Sequence, residues 1–130
     1  MDGFYIEKKV YYHDTDCGGV VYYANYLKYV EEACTEYLSS KGLGLKVLFR
    51  AGVKFVTAHI EADYKGPAGY GDILRIYIKI ESLGDTSLHF QERIEKGAAV
   101  IFEAKTVWVC VDKDFKPVPL PEDIRKPLCL

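Results

Sequence analysis

One stretch of this chain carries a helical period, and nearly everything after it carries a strand period. Within residues 22–41, Tyr26, Val30, Ala33, Cys34, Tyr37 and Leu38 fall on one stripe, while Lys28, Glu32, Thr35, Glu36 and Ser39 fall on the other side. Gly42 supplies the stop. The segment is about five turns long at 3.6 residues per turn, and a stripe of that length needs a broad apolar surface to lie on. The second half provides one. Residues 53–65, 73–82, 87–96 and 99–112 read as strands, most clearly where Leu74, Ile76, Ile78 and Ile80 alternate with Arg75, Tyr77, Lys79 and Glu81. Glycine-rich turns at 66–72, 84–85 and 97 separate them. Residues 4–12 alternate in the same way ahead of the helix. One strand, one long helix and four strands joined by short turns describe an α+β fold: a five-stranded antiparallel sheet wrapped around a single helix, in one domain spanning residues 1–130.

Composition narrows the setting. With 49% hydrophobic and 28% charged residues the chain has the material for a globular core, and a formal net charge of -2 argues against a nucleic-acid partner. No window approaches the roughly 18 consecutive apolar residues of a membrane span, and Met1-Asp2-Gly3-Phe4 lacks the basic and apolar regions of a secretory leader. The expectation is a cytoplasmic protein with no integral membrane segment. Cys17, Cys34, Cys110 and Cys129 form no C-x-x-C pair and have no histidine at zinc-ligand spacing, so they read as reduced thiols and no metal is expected. Residues 113–130 contain Pro117, Pro119, Pro121 and Pro127, with a short turn of helix expected from Pro121.

The chemistry concentrates in Tyr12-His13-Asp14-Thr15-Asp16-Cys17-Gly18-Gly19-Val20-Val21-Tyr22-Tyr23, which delivers two carboxylates and two glycines to the start of the helix. The first turn of a helix has unpaired N–H groups and the positive end of the peptide dipoles, which suits an oxyanion. A carboxylate in the preceding loop is then placed to act on a carbonyl whose oxygen those N–H groups hold, as general base or as nucleophile. Asp14 and Asp16 are the candidates. The competing reading is a plain turn, with both aspartates accepting local backbone hydrogen bonds. Cys17 as nucleophile would need a positioned base, and His13, His59 and His89 do not provide one by spacing; His59 and His89 read as exposed or interface residues on strands.

The run Tyr12-x-Asp14-Thr15-Asp16-x-x-Gly19-Val20-Val21-Tyr22-x-x-Asn25-Tyr26-Leu27-x-Tyr29-x-Glu31, with Tyr64-x-x-Pro67-Ala68-x-x-Gly71-Asp72 further on, resembles the signature of hotdog-fold thioesterases of the 4-hydroxybenzoyl-CoA thioesterase class, in particular the YbgC-type acyl-CoA thioesterases. The resemblance implies that two subunits pair their sheets, that the homodimer is the minimum assembly and a homotetramer the expected one, and that the thioester site lies at the subunit boundary. It implies hydrolysis of acyl-CoA to free acid and CoA, with Asp16 as the catalytic carboxylate, backbone amides near Tyr23 as oxyanion donors and Asp14 in support. An apolar tunnel beside the helix would hold the acyl chain. Gly19, Val20, Val21 and Asn25 are the residues expected around the substrate, with Glu31, on the early turns of the helix, reading either as facing the pocket or as a solvated helix residue, and no cofactor is implied beyond the substrate's own coenzyme A. This chain departs from many YbgC-type sequences in having Tyr23 where they have histidine, and in reading Glu31-Glu32-Ala33-Cys34 where arginines often follow the glutamate. The same fold also carries acyl-thioester dehydratases, and a non-catalytic acyl-CoA-binding subunit is the alternative of a different class.

Overall fold

The computed structural model describes residues 3–129; Met1 and Asp2, on which the reading of the leader partly rests, and the terminal Leu130 lie outside the described residues. The elements are β1 (Tyr5–Lys9), α1 (Asn25–Ser40), α2 (Leu45–Arg50), β2 (Lys54–Tyr64), β3 (Ile73–Leu83), β4 (Ser87–Lys96), β5 (Ala99–Val111) and α3 (Glu122–Leu128). The strands form one antiparallel sheet in the order β1-β3-β4-β5-β2, and α1 lies on its inner face, as the hotdog arrangement requires. Register shifts at Thr57/His59, Ile80/Ser82 and Ile94/Glu95 add local twist. Such bulges bend a sheet, which lets this one curl around a rod.

The core follows from the two periods. Leu74, Ile76, Ile78 and Ile80 of β3 and Leu88, Phe90 and Ile94 of β4 meet Tyr26, Val30, Ala33, Cys34, Tyr37 and Leu38 of α1. The Tyr26 ring stacks on Phe102 with centroids 5.4 Å apart and planes at 7°. Burying a side chain of this size contributes roughly 1.5–3 kcal/mol, so the α1 stripe is the largest single source of cohesion between the layers. One residue breaks the expected alternation: Tyr77, on the outer face of β3, is buried, because the Tyr5 ring and the Arg93 guanidinium cover it at 5.1 and 5.0 Å.

Element ends shift for local reasons. The first strand stops at Lys9 rather than running to Tyr12, since the Asp14 carboxylate accepts the Tyr11 N–H at 2.8 Å and draws Tyr12–Asp14 into a turn of 3-10 helix. The long helix begins at Asn25 rather than Tyr22, whose carbonyl accepts the Asn25 N–H in a preceding turn. Beyond Ser40 the chain reverses through Gly42 at φ +79°, a left-handed conformation open to glycine, and the Leu43 N–H closes on the Leu38 carbonyl. Neither period announced α2, whose six residues bury only Leu48. The expected terminal turn is a full α3, tied to the sheet by Ile124, Leu128 and the Arg125 guanidinium on the Gly84 carbonyl at 2.7 Å.

One polar side chain sits under the helix. Glu92 of β4 is 1% exposed; its Oε2 accepts from Thr106 and lies 3.6 Å from the Cys34 thiol, while Oε1 has no partner. Burial pushes its acid strength down, raising the pKa above the usual carboxylate range, although the two hydrogen bonds pull the other way. The folded state therefore holds a proton that the unfolded chain releases near pH 4.3, so stability should fall as pH rises from there through the folded value. In Glu92→Gln that dependence should flatten, and the variant should gain stability over wild type at pH 8 relative to pH 5, measured by urea denaturation at both.

Candidate active site

Asp14 fastens the loop between β1 and α1 through three hydrogen bonds. The Asp14 side chain, 7% exposed, caps the Tyr11 N–H, and its main-chain carbonyl accepts two donors: the Tyr22 N–H at 2.9 Å and the Asn25 Nδ2 at 2.9 Å. Both ends of the motif are thus fastened to a single peptide. The Tyr29 hydroxyl lies buried on the same side, its phenol pushed up by burial and by the Asp14 carboxylate.

Outside that anchor the chain makes a narrow hairpin with Asp16 across from Val20. Thr15 bridges Val21, the Asp16 N–H donates to the Val20 carbonyl at 2.9 Å, and Val20 bridges Gly69 in the turn before β3. The exposed Asp16 carboxylate accepts the Gly18 N–H at 2.8 Å. The two glycines differ in what they require. A Cβ on residue 18 would stand 3.2 Å from Asp16 Oδ1, and Gly19 has φ +82°.

At the head of α1 some donors are engaged and others are not. The Val21, Tyr22 and Asn25 N–H groups donate to the carbonyls of Ala68, Asp14 and Tyr22, but among the described residues those of Tyr23 and Ala24 donate to no protein acceptor. They project at the positive end of the helix, where a developing oxyanion is stabilised. The Tyr23 side chain is 62% exposed, and its ring lies 4.8 Å from that of Tyr22 and 6.3 Å from that of Tyr64.

The other expected residues separate into distinct places. Gly19 and Val20 are exposed in the loop beside Asp16. Val21 is 3% exposed and packs in the core, so it reaches the site only through its backbone. The Asn25 amide is engaged by the Asp14 carbonyl. Glu31, an exposed residue that accepts from Thr35 Oγ1 at 3.1 Å, stands about 9 Å along α1 from Asn25. There it edges a cavity of about 190 Å³ between α1, α2, β2 and β5, lined by Thr35, Leu48, Phe49, Phe55 and Trp108. Neither Phe49 nor Trp108 carried a signal of its own, because the exposed short helix that brings Phe49 to the cavity has no period to read. His59 pairs with Glu61 at 3.0 Å, His89 meets Ser87 Oγ at 2.9 Å, and the exposed His13 Nδ1 is 3.5 Å from Asp14. Cys17 is exposed, and among the described residues no group of three potential ligands is placed to hold a metal ion. Nor is any helix among them long and apolar enough to cross a membrane.

The sequence pattern that defines the thioesterase-like superfamily matches residues 10–128. The chain belongs to this superfamily. It is 40% identical over 118 residues to the acyl-CoA thioester hydrolase YbgC of Escherichia coli O6:H1, covering 89% of this chain and 88% of that protein. A crystal structure of a hypothetical protein from Aquifex aeolicus superposes with a TM-score of 0.92 at 28% identity, over 98% of this chain and all (100%) of that one. That of a 1,4-dihydroxy-2-naphthoyl-CoA thioesterase from Synechocystis does so with a TM-score of 0.87 at 29% identity, over 97% and 95%. Among thioesterase-like chains, then, this one keeps the hotdog frame and carries its two aspartates in a loop fastened by Asp14. Because Asn25 contributes one of the two bonds to the Asp14 carbonyl, Asn25→Ala should cost about 1 kcal/mol of folding stability, read from the urea midpoint at constant slope.

Proposed function

We propose that the protein hydrolyses acyl-CoA thioesters, releasing the free acid and coenzyme A, with Asp16 as the catalytic carboxylate. The pair of unengaged N–H groups at Tyr23 and Ala24, at the head of α1 beside the loop that carries Asp16, is the observation that carries this reading. The thioester oxygen is received by those donors, and charge developing on it meets dipoles already in place. Asp16 takes a proton from water as the water oxygen bonds to the carbonyl carbon, or attacks that carbon itself to give an anhydride that water then opens. The C–S bond breaks, and the thiolate leaves with its electron pair and is protonated to the free thiol. A thiol pKa near 8.5 makes this departure easy, so a strong general acid is not required. Gly19 and Val20 border the reacting group, and Asn25 acts through Asp14 in keeping the loop in place.

The acyl group needs an apolar seat, and the cavity edged by Glu31 lies toward the far end of α1. A two-fold assembly removes that separation. The outer edge of β2 offers 11 residues that, among those described, pair with no other strand, and Ile60 and Tyr64 are exposed along it. An edge of that length is ordinarily covered. If two copies join antiparallel along β2, the end at Tyr64, beside Tyr23, meets the other copy's end at Lys54 and Phe55, which lines the cavity. Each site then takes Asp16 from one subunit and its acyl pocket from the other. Two such dimers make the homotetramer of the proposal.

Asp16→Asn should lower the release of free thiol from a panel of acyl-CoA esters by 100-fold or more, on the order expected for loss of a positioned base. Equal rates would remove Asp16 from the chemistry, and a wild type inactive on every ester would sink the assignment. Mixing Asp16→Asn with Thr35→Trp, which fills the cavity, should restore about a quarter of wild-type activity after subunit exchange, since half the dimers are mixed and one of their two sites is intact. No recovery between two individually inactive, exchanging variants would mean that each site lies within one chain.

A further inference from the structure

The Tyr64 phenol crosses from the last residue of β2 to the head of α1, where its O–H donates to the Tyr23 carbonyl oxygen at 2.9 Å. That carbonyl and the Ala24 N–H belong to the same planar peptide and point in opposite directions. We propose that Tyr64 is a positioning residue: by holding the Tyr23 carbonyl it sets the direction of the Ala24 N–H and strengthens that group as a donor to the thioester oxygen. The proposal rests on the acyl-CoA reading above and assigns a role that reading does not need.

Two physical effects converge on this one bond. The first is geometric. Tyr23 and Ala24 lie in a turn ahead of the first helical residue, and among the described residues neither of their N–H groups is tied down by the protein, so within the Tyr23–Ala24 peptide the carbonyl is the one polar group held, although the flanking Tyr22 and Ala24 carbonyls accept the Asn25 and Leu27 N–H groups. The second is electronic. A hydrogen bond accepted by an amide oxygen draws charge through the peptide and makes its N–H a better donor. The phenol itself is fixed by its ring, which packs edge-on against Phe102 and Tyr26 with centroids 5.0 and 5.5 Å away. Its acid strength is also weakened by burial, which keeps the hydroxyl a neutral donor. Tyr64 stood in the sequence motif only as the start of a turn, and nothing in its spacing showed that its side chain would reach back 41 residues.

The test is Tyr64→Phe, which keeps the ring contacts and deletes the hydroxyl. With a benzoyl-CoA or short acyl-CoA substrate, kcat should fall about 10-fold while KM changes less than about 2-fold, because a weakened oxyanion donor is felt mainly in the transition state. The spectroscopic arm uses the Asp16→Asn background, in which bound carbonyl-labelled benzoyl-CoA persists. Its C=O stretch should be shifted less from the solution value when Tyr64→Phe is added. Replacing the phenol by an aniline at residue 64 restores a donor and should return kcat to near wild type, with thermal midpoint and dimer content recorded for each protein. Unchanged kcat in Tyr64→Phe, or an aniline protein as slow as the phenylalanine one, overturns the proposal. A wild type without thioesterase activity overturns the underlying reading instead.

Discussion

The peptide of Asp14 is the fixed point on which the site depends. Its carboxylate bends the chain out of β1, and its carbonyl grips both the turn before α1 and the first residue of the helix. A nearly buried carboxylate is tolerable only when its oxygens are engaged, and here the engagement is what converts a strand end into a loop. Everything that points outward, including the Asp16 carboxylate and the free N–H groups, takes its position from a residue that points inward. The two aspartates of the motif are therefore unlike in kind, although the sequence presents them as near neighbours.

The fold was legible because the chain keeps two periods apart. The β3 alternation and the α1 stripe each marked the buried face correctly, and the bounds of β2 to β5 fell within a residue of those observed, since one-sided burial leaves little freedom in register, whereas β1 stops three residues short of Tyr12. Failures of detail came where side chains act across distance. Tyr77 looked solvent-facing until Tyr5 and Arg93 were laid over it from other strands. The helix began three residues late because Tyr22–Ala24 spend their backbone on a turn, a choice made by the Asp14 carbonyl rather than by propensity. In the site, the motif located Asp14, Asp16 and the head of α1, whereas Val21 turned out to be core and the cavity walls from α2 were invisible. A six-residue helix with one buried side chain has no pattern to detect.

Glu92 shows the same logic within the core. It sits where α1 crosses β4 and β5, and it is satisfied on one oxygen by Thr106 with the Cys34 thiol nearby. A neutral acid there costs far less than a charged one, because no cation lies against it to repay the loss of water. Burial raises the Cys34 thiol as well, so both partners shift toward their uncharged forms. The helix that presents the free donors thus rests on a polar cluster in which burial opposes ionisation.

Reliance on main-chain donors has a consequence for the side chain that lies nearest them. Tyr23 is mostly exposed and contributes its N–H and its carbonyl, neither of which changes when the side chain does. Substitution at residue 23 would change the packing of its ring against Tyr22 and Tyr64. The opposite holds one residue inward. Ala24 caps α1, and its N–H direction is set by the plane of the Tyr23–Ala24 peptide, whose carbonyl the Tyr64 hydroxyl holds; on the reading proposed above, that hydroxyl has more leverage over a bound carbonyl than the Tyr23 ring. On the reading proposed above, chemical identity matters at Asp16 and at the Tyr64 hydroxyl, while at residue 23 the demand is on where the backbone lies.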